Sequence, residues 1–443
     1  MKSVKVALNT LGCKVNQAET EEIARQLTLA GCQIVSPEER ADIYILNTCT
    51  VTHVADRKSR HWLRQIRLRN PYSVVVATGC YADRARDELT KIGVDLIVTN
   101  SEKSRMVQLL KTAGYIPDTE GKILTRRQQV NIQTNNDPSH CNLTYNNRNK
   151  AYQRTRAFIK IQDGCNKFCS YCIIPLVRKE VSSIPSSQIV QKIKQLELEG
   201  YKEIILTGVE VGSYRYKDER LVDLLTKVIE VTNIPRLRIS SLQPQEINES
   251  LLSIWENPRM CPHFHISLQS GSDSILKRMN RGYDTYTYAN TVERIRRLLP
   301  EAAITTDIIV GFPGEEEKEF QETLNFCRLM NFARIHVFPY SPRQGTAAAV
   351  FPDQIPDHIK KKRVEIMLGL AQNSILSFNT KFTGRTLEVL FENKEDKFWS
   401  GLTRNYIRVF VESPQELGDK IVPVYLEKVH DDGLSGRINL EDK

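Results

Sequence analysis

No stretch of this 443-residue chain approaches the ~20 consecutive apolar residues that a membrane span needs. Its start, Met1-Lys2-Ser3-Val4-Lys5-Val6, runs straight into a strand pattern, so no secretory leader is expected. Low complexity fails as a global description, and so does a collagen-like composition. With 40% hydrophobic and 26% charged residues, the chain reads as soluble, cytoplasmic and able to bury real cores. No membrane partner is expected. The excess of positive charge is small, 62 Lys+Arg against 53 Asp+Glu, or +9. Ten cysteines are present. In a reducing compartment, grouped thiols point to metal or catalysis rather than to disulfides.

The charge is uneven. Residues 1–118 hold 17 basic and 13 acidic side chains, and residues 119–157 hold 7 and 2. The densest run, from Arg57 to Arg69, has six basic residues and no acid. Such a run can track a phosphate backbone, although a solvated helix face explains it equally well.

Length alone suggests about three domains. Residues 1–118 alternate short aliphatic strands (Val4–Leu8, Ile43–Asn47, Val74–Ala77, Leu96–Val98) with helical patterns, which predicts a doubly wound parallel sheet. Residues 119–150 form a polar, Asn- and Gln-rich connector without periodicity. Over residues 151–376 alternation resumes with six strand–helix repeats, short of the eight in a closed barrel, so an open (β/α)6 barrel is expected. Residues 377–443 change to short strands punctuated by glycine, the pattern of a small all-β barrel.

Six cysteines fall into two sets of three. Cys165, Cys169 and Cys172 form a C-x3-C-x2-C run after the first strand of the central domain. Three thiolates on one loop can hold three irons of a cubane cluster and leave the fourth open for a ligand. The bland alternative is zinc, but a closed structural zinc site wants four ligands. His263 or His265 could complete one only by reaching across the barrel. Cys13, Cys49 and Cys80 each follow a strand of the first domain, at the carboxyl ends that converge on one crevice. They can hold a second cluster. Cys32, Cys141, Cys261 and Cys327 belong to neither set and read as packing or incidental thiols.

The Cys165–Cys172 spacing, at the mouth of an open barrel pattern, resembles the radical S-adenosylmethionine enzymes. Leu206-Thr207-Gly208-Val209-Glu210, Ser267-Leu268-Gln269-Ser270-Gly271 and Asp307-Ile308-Ile309-Val310-Gly311-Phe312-Pro313-Gly314-Glu315 agree with that superfamily. The resemblance implies that the open iron chelates S-adenosylmethionine and that one electron releases a 5′-deoxyadenosyl radical. It implies that Tyr171, Gly208, Glu210, Ser267 and Asp307 lie against the cofactor, with Tyr171 at the adenine edge.

Thr10-Leu11-Gly12-Cys13-Lys14-Val15-Asn16-Gln17, Asn47-Thr48-Cys49 and Thr78-Gly79-Cys80 resemble the methylthiotransferases within that superfamily. Gly401-Leu402-Thr403-Arg404-Asn405-Tyr406 is similar to the TRAM module that ends them. The Lys-Val-Asn-Gln and Asp163-Gly164-Cys165 words are most like the branch acting on threonylcarbamoyl-adenosine of tRNA. The family scheme then implies catalysis by the six cysteines. Two [4Fe–4S] clusters facing one cavity and two S-adenosylmethionine molecules complete it, one methylating a sulfide and the other supplying the radical. An anticodon stem-loop, an electron-donor protein and a sulfur source are the implied partners. Cofactor chemistry is needed because carbon 2 of adenine offers an unactivated aromatic C–H with no acidity for a general base.

The terminal module is net −2, so RNA contacts there must come from a subset such as Lys381, Arg385, Arg404 and Arg408, with Tyr406 for stacking. Its removal is expected to weaken tRNA binding while sparing both clusters. A threonylcarbamoyl carboxylate demands a cation, for which Arg178 is the candidate. One departure from relatives lies nearby. Lys179 and Ile184 replace the usual glycine and arginine, which puts the conformation of that loop in question.

Three alternatives remain open: the isopentenyl-adenosine branch, the branch modifying a ribosomal-protein aspartate, and a zinc-stabilised, non-enzymatic RNA-binding protein. Colour separates the last, since iron–sulfur protein is brown and zinc protein colourless.

Overall fold

The computed structural model describes residues 3–117 and 155–438, so the 119–150 connector and Cys141 lie outside the described residues. The chain folds as two compact units. One comprises 3–117 together with Ile173–Lys179; the other comprises 155–172 and 180–438.

The first unit is built on five parallel strands, Lys5–Thr10, Gln33–Val35, Ile43–Thr48, Val74–Gly79 and Leu96–Val98, in spatial order 2-1-3-4-5. Ile43–Thr48 and Val74–Gly79 are buried at every position, as central strands covered on both faces must be. Gln33–Val35 escapes a pattern reading because three residues carry no period. Helices Lys14–Leu29 and His53–Arg69 cross between the strands, the second capped by Thr52, whose side chain accepts from the Ala55 N–H.

The second unit carries six parallel strands, Arg156–Asp163, Glu203–Gly208, Arg236–Ile239, His263–Ile266, Ala303–Val310 and Arg334–Pro339. They fall in two sheets, and the short strand Ser241–Leu242, directly after Arg236–Ile239, pairs with His263–Ile266. Alternation along these strands puts apolar residues such as Leu237, Ile239, Phe264 and Ile266 in the helix-covered core. The opposite faces are polar. Glu203, Arg236 and Arg238 are fully buried, with Arg238 Nε 2.8 Å from Glu203 Oε1.

Residues 386–437 close into a five-stranded barrel, Thr386–Glu395, Phe398–Thr403, Arg408–Glu412, Gly433–Arg437 and Ile421–His430 in spatial order. Phe398–Thr403 and Gly433–Arg437 both carry glycine within the strand. The 24-residue helix Asp357–Thr380 runs unbroken through the boundary drawn at 376/377.

This barrel is bonded into the same unit. Arg236 donates to the Leu402 and Glu388 carbonyls at 3.0 Å each, and Arg156 pairs with Glu392 at 2.6 Å. The Tyr406 ring lies flat on His263, 4.4 Å away at 8°, with the Arg238 guanidinium 4.8 Å over it. Tyr406 holds φ at +70°, a left-handed conformation that a bulky residue adopts only when its surroundings impose it. Arg404 donates to the Met260 carbonyl at 3.0 Å. Arg404 and Tyr406, both half-buried, are thus engaged with neighbours inside this unit.

Candidate functional site

In the first unit the three cysteines follow the ends of neighbouring strands. Cys13 comes after Lys5–Thr10, Cys49 directly after Ile43–Thr48 and Cys80 directly after Val74–Gly79. Their approach depends on glycine. Gly12 has φ +99°, and a Cβ there would sit 2.8 Å from Cys49 Sγ; Gly79 has φ +95°, with Thr48 O at 2.4 Å. Cys13 occupies the N-cap of its helix without making a capping bond, and Cys80 opens the helix Cys80–Arg84. Cys13 is exposed, whereas Cys49 and Cys80 are buried. Burial, with Cys13 and Cys80 nearby, pushes the Cys49 thiol up to about 12. Binding iron there must expel a proton.

Asn100 Nδ2 and Arg178 Nε donate to Cys80 Sγ at 3.9 and 3.4 Å. Arg178, only 4% exposed, also makes three bonds to Glu19 and Asn16. It is thus unavailable to a substrate carboxylate, and that expectation is corrected. The altered residues beside it are accommodated without backbone strain. Lys179 is not among the residues with positive φ, so no glycine is needed, and the Ile184 N–H donates to the Ile161 carbonyl while its side chain packs on the core.

In the second unit, the loop Cys165–Cys172 is tied down by neighbours that sequence reading missed. The Ser170 N–H and Oγ donate to the Met279 and Arg278 carbonyls, Asn280 donates to the Phe168 carbonyl at 3.1 Å, and the Ala348 N–H donates to the Ser170 carbonyl. N–H groups surround the sulfurs here too: the Lys167 N–H lies 3.5 Å from Cys165 Sγ, and Arg281 Nη1 lies 3.3 Å from Cys169 Sγ. Burial raises the Cys165 thiol to about 12, and the Glu210 carboxylate 3.4 Å away adds to that.

Of the residues named for cofactor contact, Gly208, Glu210 and Ser267 fall at or just after strand ends of this unit, Asp307 within the strand Ala303–Val310 and Tyr171 in the cysteine loop. Glu210, nearly buried, accepts from Lys167 and Gln243 at 3.2 Å each. Beside it, burial pushes Glu246 up to about 7, and the Glu210 carboxylate contributes. Gly208 leaves room for Gln162, whose side chain a Cβ would crowd at 3.0 Å. Tyr171 packs on the cluster of Met279, Phe312 and Tyr340, and Arg281 Nη1 approaches its hydroxyl at 3.4 Å. Arg281 also donates to the Ser267 carbonyl. Asp307 lies 3.1 Å from His265 Nε2 and, with His265 and His336, forms the one group of three His, Cys, Asp or Glu ligand atoms within 4.8 Å among the described residues.

Neither cysteine triad is gathered that tightly. A tetrahedral zinc with Zn–S of ~2.3 Å would hold its sulfurs about 3.8 Å apart. A wider thiol triad ringed by N–H donors suits an anionic iron–sulfur cube better. His263 and His265, the histidines a zinc site would have recruited, are instead turned to Thr305, at 3.2 and 2.9 Å. Of the cations named for RNA, Arg385 pairs with Glu301 at 2.6 Å, Arg408 with Asp432 at 3.3 Å, and Lys381 lies over Phe378. Cys32, Cys261 and Cys327 are buried. On the helix His53–Arg69, Arg60 and Arg67 pair with Glu88 and Asp95, while Arg57, Lys58, Arg64 and Arg69 are exposed.

Comparison with known proteins agrees with this geometry. Residues 159–327 match the Radical SAM superfamily, and residues 5–100 match Uncharacterized protein family UPF0004. The chain is 39% identical to "Threonylcarbamoyladenosine tRNA methylthiotransferase MtaB" of Aquifex aeolicus, over 96% of this chain and 100% of that one. It is 37% identical to the Bacillus subtilis protein of the same name, over 96% and 94%. It is 31% identical to "tRNA-2-methylthio-N(6)-dimethylallyladenosine synthase" of Endomicrobium trichonymphae, over 97% and 99%. Among solved structures, the radical S-adenosylmethionine methyltransferase TsrM of Kitasatospora setae shares the fold, with TM-score 0.55 at 15% identity over 79% of this chain and 77% of that one.

Proposed function

Because this chain belongs to the MtaB-type radical S-adenosylmethionine tRNA methylthiotransferases, we propose that it modifies N6-threonylcarbamoyladenosine with two four-iron clusters rather than one. The observation that carries this reading is the pair of separate thiol triads, each reached over a positive-φ glycine and each met by N–H donors.

The chain is a tRNA methylthiotransferase with iron–sulfur and S-adenosylmethionine as its cofactors. When bound, those groups supply the one-electron chemistry, the methyl group and the sulfur that carbon 2 of the adenine requires. The protein's part is placement and charge. Cys165, Cys169 and Cys172 hold the cluster that meets S-adenosylmethionine; Cys13, Cys49 and Cys80 hold the auxiliary one. Glu210, beside Glu246, whose carboxyl burial raises to about 7, is suited to a cationic amino group. Tyr171, Gly208, Ser267 and Asp307 complete the cofactor's surroundings. Two S-adenosylmethionine molecules per turnover, an electron-donor protein, a sulfur source and a cytoplasmic setting complete the reading. No helix among the described residues is long and apolar enough to cross a membrane.

The six parallel strands of the second unit read as an open (β/α)6 barrel and the five-stranded barrel as a TRAM module. The chain divides accordingly near 118, 150 and 376. For the anticodon stem-loop, the exposed cations Arg57, Lys58, Arg64 and Arg69 are better placed to meet phosphate than the paired Arg385 and Arg408.

The test is iron content after anaerobic reconstitution. Intact protein should hold roughly 8 iron per chain, and either triple Cys→Ala variant roughly 4. Only the Cys13, Cys49 and Cys80 variant should still cleave S-adenosylmethionine. Full iron in that variant would remove the auxiliary cluster from the account.

A further inference from the structure

We infer that Arg178 is a positioning residue for the auxiliary cluster: by donating its Nε–H to the Cys80 sulfur, it raises that cluster's reduction potential. This rests on the reading that Cys13, Cys49 and Cys80 hold a cluster.

The segment Ile173–Lys179 comes directly after Cys172, yet it packs as part of the first unit. Ile173 and Val177 form a small apolar cluster with Cys80, and Asn100 Nδ2 donates to the Val177 carbonyl at 3.1 Å. One helical turn, Ile174–Val177, closes with the Arg178 N–H on the Ile174 carbonyl. That turn delivers the guanidinium inward.

The orientation of the guanidinium is over-determined. Nη1 donates to Glu19 Oε1 at 2.9 Å; Nη2 donates to Glu19 Oε2 at 3.0 Å and to Asn16 Oδ1 at 2.9 Å. Glu19 is itself buried, and its Oε2 also accepts from Lys103. A fork clamped on one carboxylate leaves Nε–H a single direction, and Cys80 Sγ lies 3.4 Å along it. A buried arginine is costly unless each group near it uses it. Here every nitrogen has a partner, and one partner is a cluster ligand.

Cluster potentials follow net charge, hydrogen bonds to the sulfurs and exposure. Reduction adds an electron to an already anionic assembly. An N–H donor carrying positive charge stabilises the reduced form more than the oxidised one, so losing it makes the potential more negative. Lysine would keep the charge beside Glu19 but cannot reproduce the fork that aims Nε–H.

The experiment uses full-length protein with Cys165, Cys169 and Cys172 replaced by Ala, so that only the auxiliary cluster remains. Its potential is read by redox titration with electron paramagnetic resonance. The double variant Glu19→Gln/Arg178→Met removes both partners, so no buried carboxylate is left facing a lost arginine. It should keep its iron while its reduction becomes at least tenfold less favourable, about 59 mV more negative. Glu19→Gln alone should move the potential less, and Arg178→Lys should fall between parent and double variant. A potential in the double variant no more negative than in Glu19→Gln alone overturns the role of Arg178. Should that variant lose iron, Arg178→Lys decides alone, an unchanged potential again overturning it. No iron in the parent would instead sink the auxiliary-cluster reading.

Discussion

Tyr406 offers the sharpest test of how the terminal barrel is used. Its ring stacks on His263 and meets the Arg238 guanidinium at 4.8 Å, with the Arg156 guanidinium a further cation at 5.6 Å. Truncating a well-packed aromatic ring to alanine costs about 3–5 kcal/mol. Tyr406 is only partly buried, so Tyr406→Ala should cost about 3 kcal/mol, of which roughly 1 is stacking and cation–π attraction. Its φ of +70° separates packing from backbone strain. Alanine keeps a left-handed penalty of about 1–2 kcal/mol that glycine sheds, while glycine loses about 0.5–1 kcal/mol in chain entropy. Tyr406→Gly should therefore be the more stable of the two by up to roughly 1 kcal/mol. Anaerobic urea unfolding, followed by the fluorescence of buried Trp255 and Trp399, measures both. If Tyr406→Ala stayed within about 0.5 kcal/mol of the parent, as an exposed substitution would, the ring would not be part of this interior. A loss of tRNA affinity without loss of stability would return Tyr406 to the RNA.

Three further expectations follow from the same contacts. Glu246, raised to about 7 from about 4.5, contributes stability fully present below pH 4.5 and lost as pH rises through 7. At ~1.36 kcal/mol per pH unit the effect is on the order of 3 kcal/mol, so Glu246→Gln should be the more stable protein at pH 8 and show a flatter profile; parallel pH profiles would refute this. Replacing Arg57, Lys58 and Arg64 together by alanine should lower the slope of log affinity for tRNA against log salt by roughly 2–3, and an unaltered slope would leave that helix merely solvated. Removal of residues 377–443 strips Arg236, Arg156 and Arg334 of the partners Leu402, Glu388, Glu392 and Asp432. The truncated chain should lose cooperative unfolding; a soluble, cooperatively unfolding product with full iron would restore the view of a detachable module.

Much of this was legible in the sequence because the signals were local. The C-x3-C-x2-C loop, the strand-end cysteines and the alternation of aliphatic strands with helices survive folding unchanged. What escaped reading was relational. Arg236-Leu237-Arg238 and His263-Phe264-His265 announce a strand with one polar face, but not that Glu203, Thr305 and the Tyr406 ring from distant segments would satisfy it. Arg178 next to an apolar turn looked free to meet a substrate, because Glu19 and Cys80, its partners, lie 159 and 98 residues away. Gly401 punctuates the sequence pattern like a turn residue, yet it lies inside the strand Phe398–Thr403; a Cβ there would be 2.4 Å from the Leu390 carbonyl, so glycine is a packing requirement.

Nucleoside mass spectrometry of anticodon stem-loops treated with reconstituted protein, S-adenosylmethionine and a reductant decides which adenosine is modified and whether the auxiliary triad is needed. Three substrates carry threonylcarbamoyl-adenosine, isopentenyl-adenosine or plain adenosine at the same position. A methylthio product should form on the first alone and be absent when Cys13, Cys49 and Cys80 are replaced by alanine. A methylthio product on isopentenyl-adenosine, or one that persists without those three cysteines, would contradict that expectation.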